Sequence, residues 1–128
     1  MITQDEKLRA DMRRLLAAVE EVRRAYPRME LGQLAVLLSV LIEPGLRAQD
    51  LTNRVGLQKS SLSRNVKSLS AASYLSDEEG NLRDGLDLIT QTPDAVDRRA
   101  FQLAPTPKGW TLAEKLSRIL KSRPSARP

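Results

Sequence analysis

The stretch from Leu51 to Leu69, LTNRVGLQKSSLSRNVKSL, constrains the fold more than any other part of the chain. Two apolar-anchored segments flank a glycine-containing turn, and in the second segment Leu62, Val66 and Leu69 recur at spacings of four and three. That spacing places these three side chains on one side of a helix. Two helices joined by a short turn with glycine are the layout of a helix-turn-helix.

The second segment is also basic. Between Arg54 and Ser70 every charged residue is a cation, namely Arg54, Lys59, Arg64 or Lys67. Hydroxyl and amide side chains on such a helix can read base edges while the cations contact phosphates, as in a recognition helix. An ordinary amphipathic surface helix can carry the same basic residues and bind nothing, so this stretch alone leaves both interpretations open.

Composition excludes several kinds of function. The 128 residues predict a single domain, and they include no cysteine and no histidine. Disulfides, thiolate zinc sites and cysteine-based redox sensing are therefore excluded, and the commonest metal ligand and general base is missing. We expect no metal and no cofactor. The net charge of +5 and a pI of about 10.0 suggest a polyanionic partner.

No segment of the sequence predicts a membrane span. The longest apolar concentration, Leu34 to Ile42, is far shorter than the roughly 20 residues that a bilayer requires. Asp5, Glu6 and Lys7 stand where a signal peptide needs an apolar run, which disfavours secretion. We therefore expect a cytoplasmic protein, bacterial or phage-like, that associates with the nucleoid.

Residues 3 to 25 predict one long helix, ended by Pro27 because proline cannot continue it. Its apolar residues are spaced alternately four and three apart, a heptad pattern typical of a helix packed along another helix. Leu16 widens this stripe, whose members are Leu8, Met12, Leu15, Val19, Val22 and Tyr26. We expect the helix to help form a dimer interface; the alternative is that it packs only on its own domain.

Leu31 to Ile42 predicts a core helix, because its sequence LGQLAVLLSVLI is apolar on almost every side. Glu43-Pro44-Gly45 predicts the turn that ends it, and Arg47 to Val55 predicts the next, short helix. Gly56 then supplies the tight turn before the basic helix, which begins near Gln58.

The region after Leu69 predicts a loop followed by a β-hairpin. The acidic and polar residues 76–85 are expected to form the loop. Residues 86–91 and 98–103 have strand-like patterns and predict the hairpin, with turn-forming residues at 92–97 between them. This hairpin, with Arg98 and Arg99 at its basic shoulder, corresponds to the wing of a winged helix.

Thr106 and Pro107 predict the start of a last helix, with threonine as N-cap and proline at the first helical position. The apolar stripe of this helix includes Leu112, Leu116 and Ile119. The segment 122–128 that follows is basic overall and is expected to form a flexible tail.

Motifs spread over roughly residues 30 to 116 resemble one protein family. The core helix Leu31–Leu41, Pro44-Gly45 and Asp50-Leu51 precede the segment VGLQKSSLSR at 55–64. The motif DRRA at 97–100 is followed by TPKG at 106–109. In motif, spacing and predicted context these segments resemble the MarR family of winged-helix transcription regulators, and the DRRA and TPKG pair is the most specific match.

The resemblance implies a mainly α (α+β) fold in one domain, residues 1–128. A winged helix-turn-helix lobe at 30–104 would lie between N- and C-terminal dimerisation helices at 3–26 and 107–121, with a β-hairpin wing. Such dimers place recognition helices in the major groove and wings in the minor groove of pseudo-palindromic operators, often repressing transcription. The expected dimerisation residues are Leu8, Met12, Leu15, Val19, Val22, Leu112, Leu116 and Ile119.

The resemblance also assigns roles on double-stranded DNA. Arg98 or Arg99 would reach into the narrow minor groove, where negative potential is concentrated, with Asp97 supporting one of them. The residues expected to face base edges are Gln58, Ser60, Ser61, Ser63 and Arg64, and those expected to contact phosphates are Arg54, Lys59 and Lys67. The alternative interpretation, which does not use the resemblance, assigns Asp97 to an ordinary turn with a surface ion pair and Arg64 to the solvated surface of a helix.

The sequence departs from the family's pattern in three places. More residues separate the recognition helix from Asp97 than the family has; we expect the surplus in residues 76–85, and a longer wing is the alternative. Pro105, where the family tends to have leucine, is expected to end the second wing strand early. Gln58 opens the recognition helix in place of a good N-cap.

The same residues bear on other classes of function. An enzyme is disfavoured, because the chain has no histidine, no cysteine, no nucleophile elbow and no phosphate-binding loop motif. Two alternatives to a regulator stay open: a winged-helix initiator of replication or of plasmids, and a winged-helix module for protein–protein contacts. The sequence does not indicate whether a small-molecule or protein effector exists.

Overall fold

The computed structural model describes residues 3–76, 82–97 and 100–122. It divides the chain into two compact units, one of Met1–Met29 with Leu112–Pro128 and the other of Glu30–Thr111. Arg98, Arg99 and the predicted tail beyond Ser122 lie outside the described residues. In the described part of the chain, no helix combines the length and apolar character needed to cross a membrane.

The first unit contains the long N-terminal helix α1 (Gln4–Ala25). Thr3 caps it, because its hydroxyl accepts the Glu6 N–H while the Glu6 carboxylate accepts the Thr3 N–H. The last helix, α5 (Pro107–Lys121), contributes its residues from 112 onward to the same unit. Arg14 Nε donates to the Ser122 carbonyl at 2.9 Å, a bond between the two chain segments of this unit.

The second unit is built around the core helix α2 (Leu31–Ile42), as predicted. The short helix α3 (Leu51–Val55) and the basic helix α4 (Lys59–Leu69) follow it. The turn between them contains Gly56 at φ +65°, a left-handed conformation that favours glycine. The fully buried core of this unit includes Val36, Leu37, Val40, Leu51, Leu69, Leu88, Ile89 and Leu103.

The prediction of a helix from Arg47 to Val55 is wrong at its start. Leu46–Arg47 forms the short strand β1, a 3-10 turn follows at Ala48–Asp50, and the α-helix begins only at Leu51. Strand β1 pairs antiparallel with a later strand, with Leu46 opposite Leu103. Because the backbone of residues 46 and 47 is committed to this sheet, the helix cannot begin earlier.

The predicted loop at 76–85 is also wrong in part. Strands β2 (Ala72–Ser76) and β3 (Leu82–Asp84) form a separate antiparallel pair. The acidic residues 77–79, which the loop prediction included, lie outside the described residues. The described residues between α4 and the predicted wing therefore include a strand pair.

The wing consists of strands β4 (Ile89–Pro93) and β5 (Phe101–Pro105), and the three-stranded sheet has the order β1-β5-β4. Each wing strand begins three residues later than the predicted ranges 86–91 and 98–103. The first shift has a clear cause. The N–H groups of Leu86 and Leu88 donate to the carbonyls of Ser68 and Leu69 at the end of α4, so they are not available to pair with another wing strand.

The last helix begins as predicted. The Thr106 hydroxyl accepts the Gly109 N–H at 3.0 Å and donates to the Asp87 carbonyl at 2.6 Å. Gly109 is buried, and a Cβ atom there would lie 2.2 Å from the Leu88 carbonyl oxygen, so only glycine fits this contact. The expectation that Pro105 ends β5 early is wrong, because Pro105 pairs with Ile89 as the last residue of the strand.

Candidate nucleic-acid interface

Helix α4 separates an apolar side from a polar side. Leu62, Val66 and Leu69 are buried, at 4%, 3% and 0% exposure, and fix the helix on the second unit. The opposite surface, called the basic face below, is exposed and consists of Lys59, Ser60, Ser61, Ser63, Arg64 and Lys67. The structure therefore brings together all six contact residues that were predicted on α4, and predicted Gln58 is exposed just before them.

The N-terminal end of α4 leaves backbone donors available. Gln58 has the extended backbone of an N-cap, but in the described part of the chain its side chain caps none of the first-turn N–H groups. The first intrahelical bond runs from the Leu62 N–H to the Gln58 carbonyl. The N–H groups of Lys59, Ser60 and Ser61 can thus bind an oxygen anion, and the helix dipole favours such binding.

Arg54, a predicted phosphate contact, already has an acidic partner. Its guanidinium forms an ion pair with the Glu43 carboxylate, and both side chains are about half exposed, at 47% and 50%. An exposed pair of this kind contributes only about 0–1 kcal/mol, so a phosphate can compete for the guanidinium. Residues 54–70 contain no acidic residue, but in the folded chain Glu43, from an earlier segment, lies beside Arg54.

A cleft of about 600 Å³ lies between α4 and the wing. Its walls combine apolar side chains with polar and cationic ones. Helix α4 supplies Lys59, Leu62, Ser63, Val66 and Lys67, and the rest of the lining is Ala48, Gln49, Thr52, Gln91, Ala100 and Phe101. Two lysines and several hydrogen-bonding side chains thus border a space flanked by the helix and by both wing strands.

The wing turn, Asp94–Asp97, is organised by a buried carboxylate. Asp94 is 2% exposed, and its Oδ1 accepts the N–H groups of Val96 at 2.8 Å and Asp97 at 3.4 Å. Its Oδ2 accepts Arg47 Nε at 2.6 Å. The Val96 N–H bond lowers the pKa of Asp94 below its usual range, and the Asp97 N–H and Arg47 lower it further, against the opposing effect of burial.

The predicted minor-groove residues are only partly described. Asp97 is exposed, and its carbonyl accepts the Ala100 N–H at 2.9 Å, which closes the turn from the other side. Arg98 and Arg99 lie outside the described residues, so their assignment to the minor groove stays a prediction.

The predicted dimerisation residues fall into three groups by their exposure. Val22, Leu112 and Leu116 are buried within the single chain, at 5%, 4% and 8% exposure. Val19 and Ile119 are half-buried. By contrast, four side chains of α1, called the α1 stripe below, are 51–59% exposed: Leu8, Met12, Leu15 and Leu16.

Structure comparison connects this architecture to known proteins. A transcriptional regulator from Thermotoga maritima matches with a TM-score of 0.63 and 27% identity, over 86% of this chain. The PcaV transcriptional regulator from Streptomyces coelicolor matches with 0.55 and 24% over 90%, and a MarR transcriptional regulator from Methanosarcina mazei with 0.58 and 18% over 81%. This chain has the fold of the MarR regulators.

The MarR-like chain spans about two thirds of the length of these neighbours, covering 66%, 74% and 63% of them respectively. No protein-family model matches the sequence, and no curated protein matches it either. The neighbours are transcription regulators, and the similarity to them lies in the fold.

Two residues that organise the wing turn, Arg47 and Asp94, were not predicted from the sequence. A partial signal existed for Asp94, because aspartate at the end of a strand often bonds the backbone two residues later. No local pattern could identify Arg47 as its partner, since the two residues are separated by 47 positions. The pairing of Arg54 with Glu43 was missed for the same reason.

Proposed function

We propose that this chain is a transcriptional regulator that binds double-stranded DNA sequence-specifically as a homodimer, and that it acts as a repressor. The observation that carries the proposal is the basic face of α4. Three cations and three hydroxyl groups stand exposed on one side of a helix whose other side is buried. Such a surface combines phosphate contacts with side chains that discriminate base edges.

The cleft beside α4 supports the same function. Its lining includes Lys59 and Lys67 and lies between the helix and the wing strands. When a recognition helix enters the major groove and a wing follows the adjacent minor groove, the phosphate backbone between the grooves passes between the two elements. The two lysines are then positioned to neutralise that strand, and each displaced counterion adds to the affinity.

The α1 stripe supports the homodimer. Leu8, Met12 and Leu15 are more than half exposed, at 51%, 55% and 51%, although all three are apolar and share one helical side. A contiguous exposed apolar surface of this kind is typical of a protein–protein contact. A second copy of the chain can bury the α1 stripe against its own α1 stripe, since a two-fold interface uses the same surface on both subunits.

The homodimer sets the kind of site that is bound. Two recognition helices related by a two-fold axis read the same half-site in opposite directions, so the operator is an inverted repeat. A dimer that occupies such an operator at a promoter excludes the polymerase, which is why we propose repression. The DNA partner also places the protein at the nucleoid of the cytoplasm.

Charge reversal tests where DNA binds. We expect Arg64→Glu to lower the affinity for a mixed-sequence 30-base-pair duplex by at least about tenfold at low salt, because it places an acid on the basic face. Arg28→Glu, which makes the same charge change at an exposed position in the turn after α1, is the matched control. Equal affinities of the two variants in anisotropy titrations would favour a protein–protein module over a DNA-binding regulator.

A second variant tests the homodimer. We expect Leu15→Asp to convert a dimer into a monomer in equilibrium sedimentation, because it places a charge in the centre of the α1 stripe. Lys7→Asp, on the exposed surface of the same helix, is the control for a new carboxylate and should leave the dimer intact. A Leu15→Asp variant that sediments as a dimer would exclude the α1 stripe as the interface.

A further inference from the structure

We propose that Arg47 and Asp94 form a clamp that positions the wing turn for DNA binding. The inference rests on the proposed function, because the turn matters only if the wing contacts DNA. It assigns Asp94, an acid on a DNA-binding unit, a role that increases the affinity for DNA. Arg47 serves as a positioning residue that holds Asp94 and is not itself a phosphate contact.

Asp94 connects three parts of the chain through its carboxylate and its backbone N–H. One oxygen accepts two successive N–H groups of the wing turn, from Val96 at 2.8 Å and Asp97 at 3.4 Å. The other accepts Arg47 Nε at 2.6 Å. The Asp94 backbone N–H also donates to the Ala100 carbonyl at 2.9 Å, so the same residue closes the strand end and shapes the turn.

The wing turn depends on this carboxylate because apolar side chains do not anchor it. Ala95 and Val96 are both exposed, and Val96 is 89% exposed. Apolar packing therefore contributes little to the conformation of this segment. Asp94, at 2% exposure, is the buried side chain of the turn, and a buried carboxylate is stable only when it is hydrogen-bonded and paired.

Arg47 ties the turn to the helix-turn-helix. It belongs to β1, pairs with Gln102 in β5, and immediately precedes the 3-10 turn that leads into α3. The Arg47–Asp94 pair therefore joins the tip region of the wing to the segment that begins the helix-turn-helix. Through this pair the position of the wing turn is coupled to the position of the helices that carry the basic face.

The clamp makes a prediction opposite in sign to simple electrostatics. Removing an acid near a polyanion tightens binding if only net charge matters. Asp94→Asn keeps the size and one acceptor oxygen but removes the charge that Arg47 pairs with, so the turn loses its tie to β1. We therefore expect Asp94→Asn to weaken DNA binding, although it makes the protein more positive.

The experiment measures affinity and turn protection together. The probe is a 30-base-pair duplex carrying the site that the wild type selects from a random library. We expect Asp94→Asn and Arg47→Gln each to weaken binding about tenfold, and the double variant to bind no worse than either, because both remove one interaction. Amide exchange at Val96 and Asp97 should be faster in both variants, and Asp94→Ala should give a larger effect in each measurement.

Controls distinguish the clamp from a net-charge effect and from a direct phosphate contact. Asp84→Asn makes the same charge change at an exposed position in β3 and should bind as tightly as the wild type or more tightly. If Arg47→Gln weakens binding while Asp94→Asn tightens it, Arg47 is a direct phosphate contact and the clamp is overturned. If exchange accelerates but affinity is unchanged, the clamp exists without a role in binding, which also overturns the inference while the proposed function stands. A wild type that binds no duplex overturns the proposed function itself.

Discussion

Helix α4 is held in place by buried side chains of the helix itself. The wing turn, by contrast, is held by the pairing of Asp94 with Arg47, which lies 47 positions earlier in the sequence. The three buried residues of α4 fall within eight consecutive positions, from Leu62 to Leu69, and leave the opposite face free. The wing turn has no such stripe, and its order comes from a carboxylate, an arginine of another strand and a hydrogen bond across the hairpin.

The difference shows how two elements that we propose to face DNA can be held in place by different interactions. An amphipathic helix needs only a periodic stripe to present a reading surface. A hairpin tip is mostly solvated, so polar interactions and close backbone contacts must position it. We therefore expect substitutions at the base of the wing to act through geometry, and substitutions on α4 to act locally, on packing or on contacts.

The largest effect should come from the contact between α5 and the start of the wing. A Cβ at Gly109 would lie 2.2 Å from the Leu88 backbone carbonyl, just before β4. We expect Gly109→Ala to destabilise the fold by roughly 4 kcal/mol in urea denaturation, because backbone must move to relieve the overlap. Gly32→Ala is the control, since its Cβ would meet Asn65 at an ordinary 3.5 Å and should be neutral or stabilising. Equal stabilities would mean that this contact does not constrain the wing.

The next effect concerns the buried side of α4. Leu62→Ala should cost about 3 kcal/mol of unfolding free energy, because it leaves a cavity under the basic helix. The neighbouring exposed change, Ser61→Ala, should stay within about 0.5 kcal/mol in the same denaturation experiment. A small cost for Leu62→Ala would contradict the view that its own stripe holds α4 in place.

Truncation of Arg64 should change recognition without changing the fold. If Arg64 contacts a guanine through two hydrogen bonds, Arg64→Ala should cost about 1–3 kcal/mol of binding free energy at the matching base pair. Titrations against the selected duplex and against a duplex mutated at single positions measure this loss, with unfolding free energy as the internal control. A loss that is uniform over all duplexes would reassign Arg64 to the phosphates.

The smallest effect should come from Lys67. As a phosphate contact bordering the cleft, Lys67→Ala should weaken all duplexes alike, by about 1 kcal/mol or less near physiological salt. The slope of log affinity against log salt should become shallower by about 0.9, the value for one released counterion. An unchanged slope would remove Lys67 from the contact set and leave Lys59 as the cleft's phosphate contact.

Much of the fold could be predicted from local pattern. Helices α1, α2, α4 and α5 were predicted almost to the residue, because periodicity and a capping residue such as Thr106 are encoded within a few positions. The strands were predicted less well. Leu46 and Arg47 belong to a sheet because of residues in β5, and residues 82–84 are strand because of partners in β2. Neither partnership has a local signal.

In the candidate site, too, the features set by local sequence could be predicted and those set by distant contacts could not. The exposure of the basic face follows from the spacing of Leu62, Val66 and Leu69, so its residues could be named from the sequence. The ion pairs of Arg47 with Asp94 and of Arg54 with Glu43 depend on how distant segments meet, and only the structure reveals them. The α1 stripe was predicted as apolar, but its division into buried and exposed members required the packed chain.

The most direct test of the account is selection of bound sites from a random duplex library at about 150 mM salt, where non-specific phosphate binding is already weak. We predict recovery of an inverted repeat with half-sites about one helical turn apart, as a symmetric pair of recognition helices requires. Recovery of sequences without any shared motif would contradict it, and would leave this fold as a low-specificity DNA binder or as a module for protein contacts.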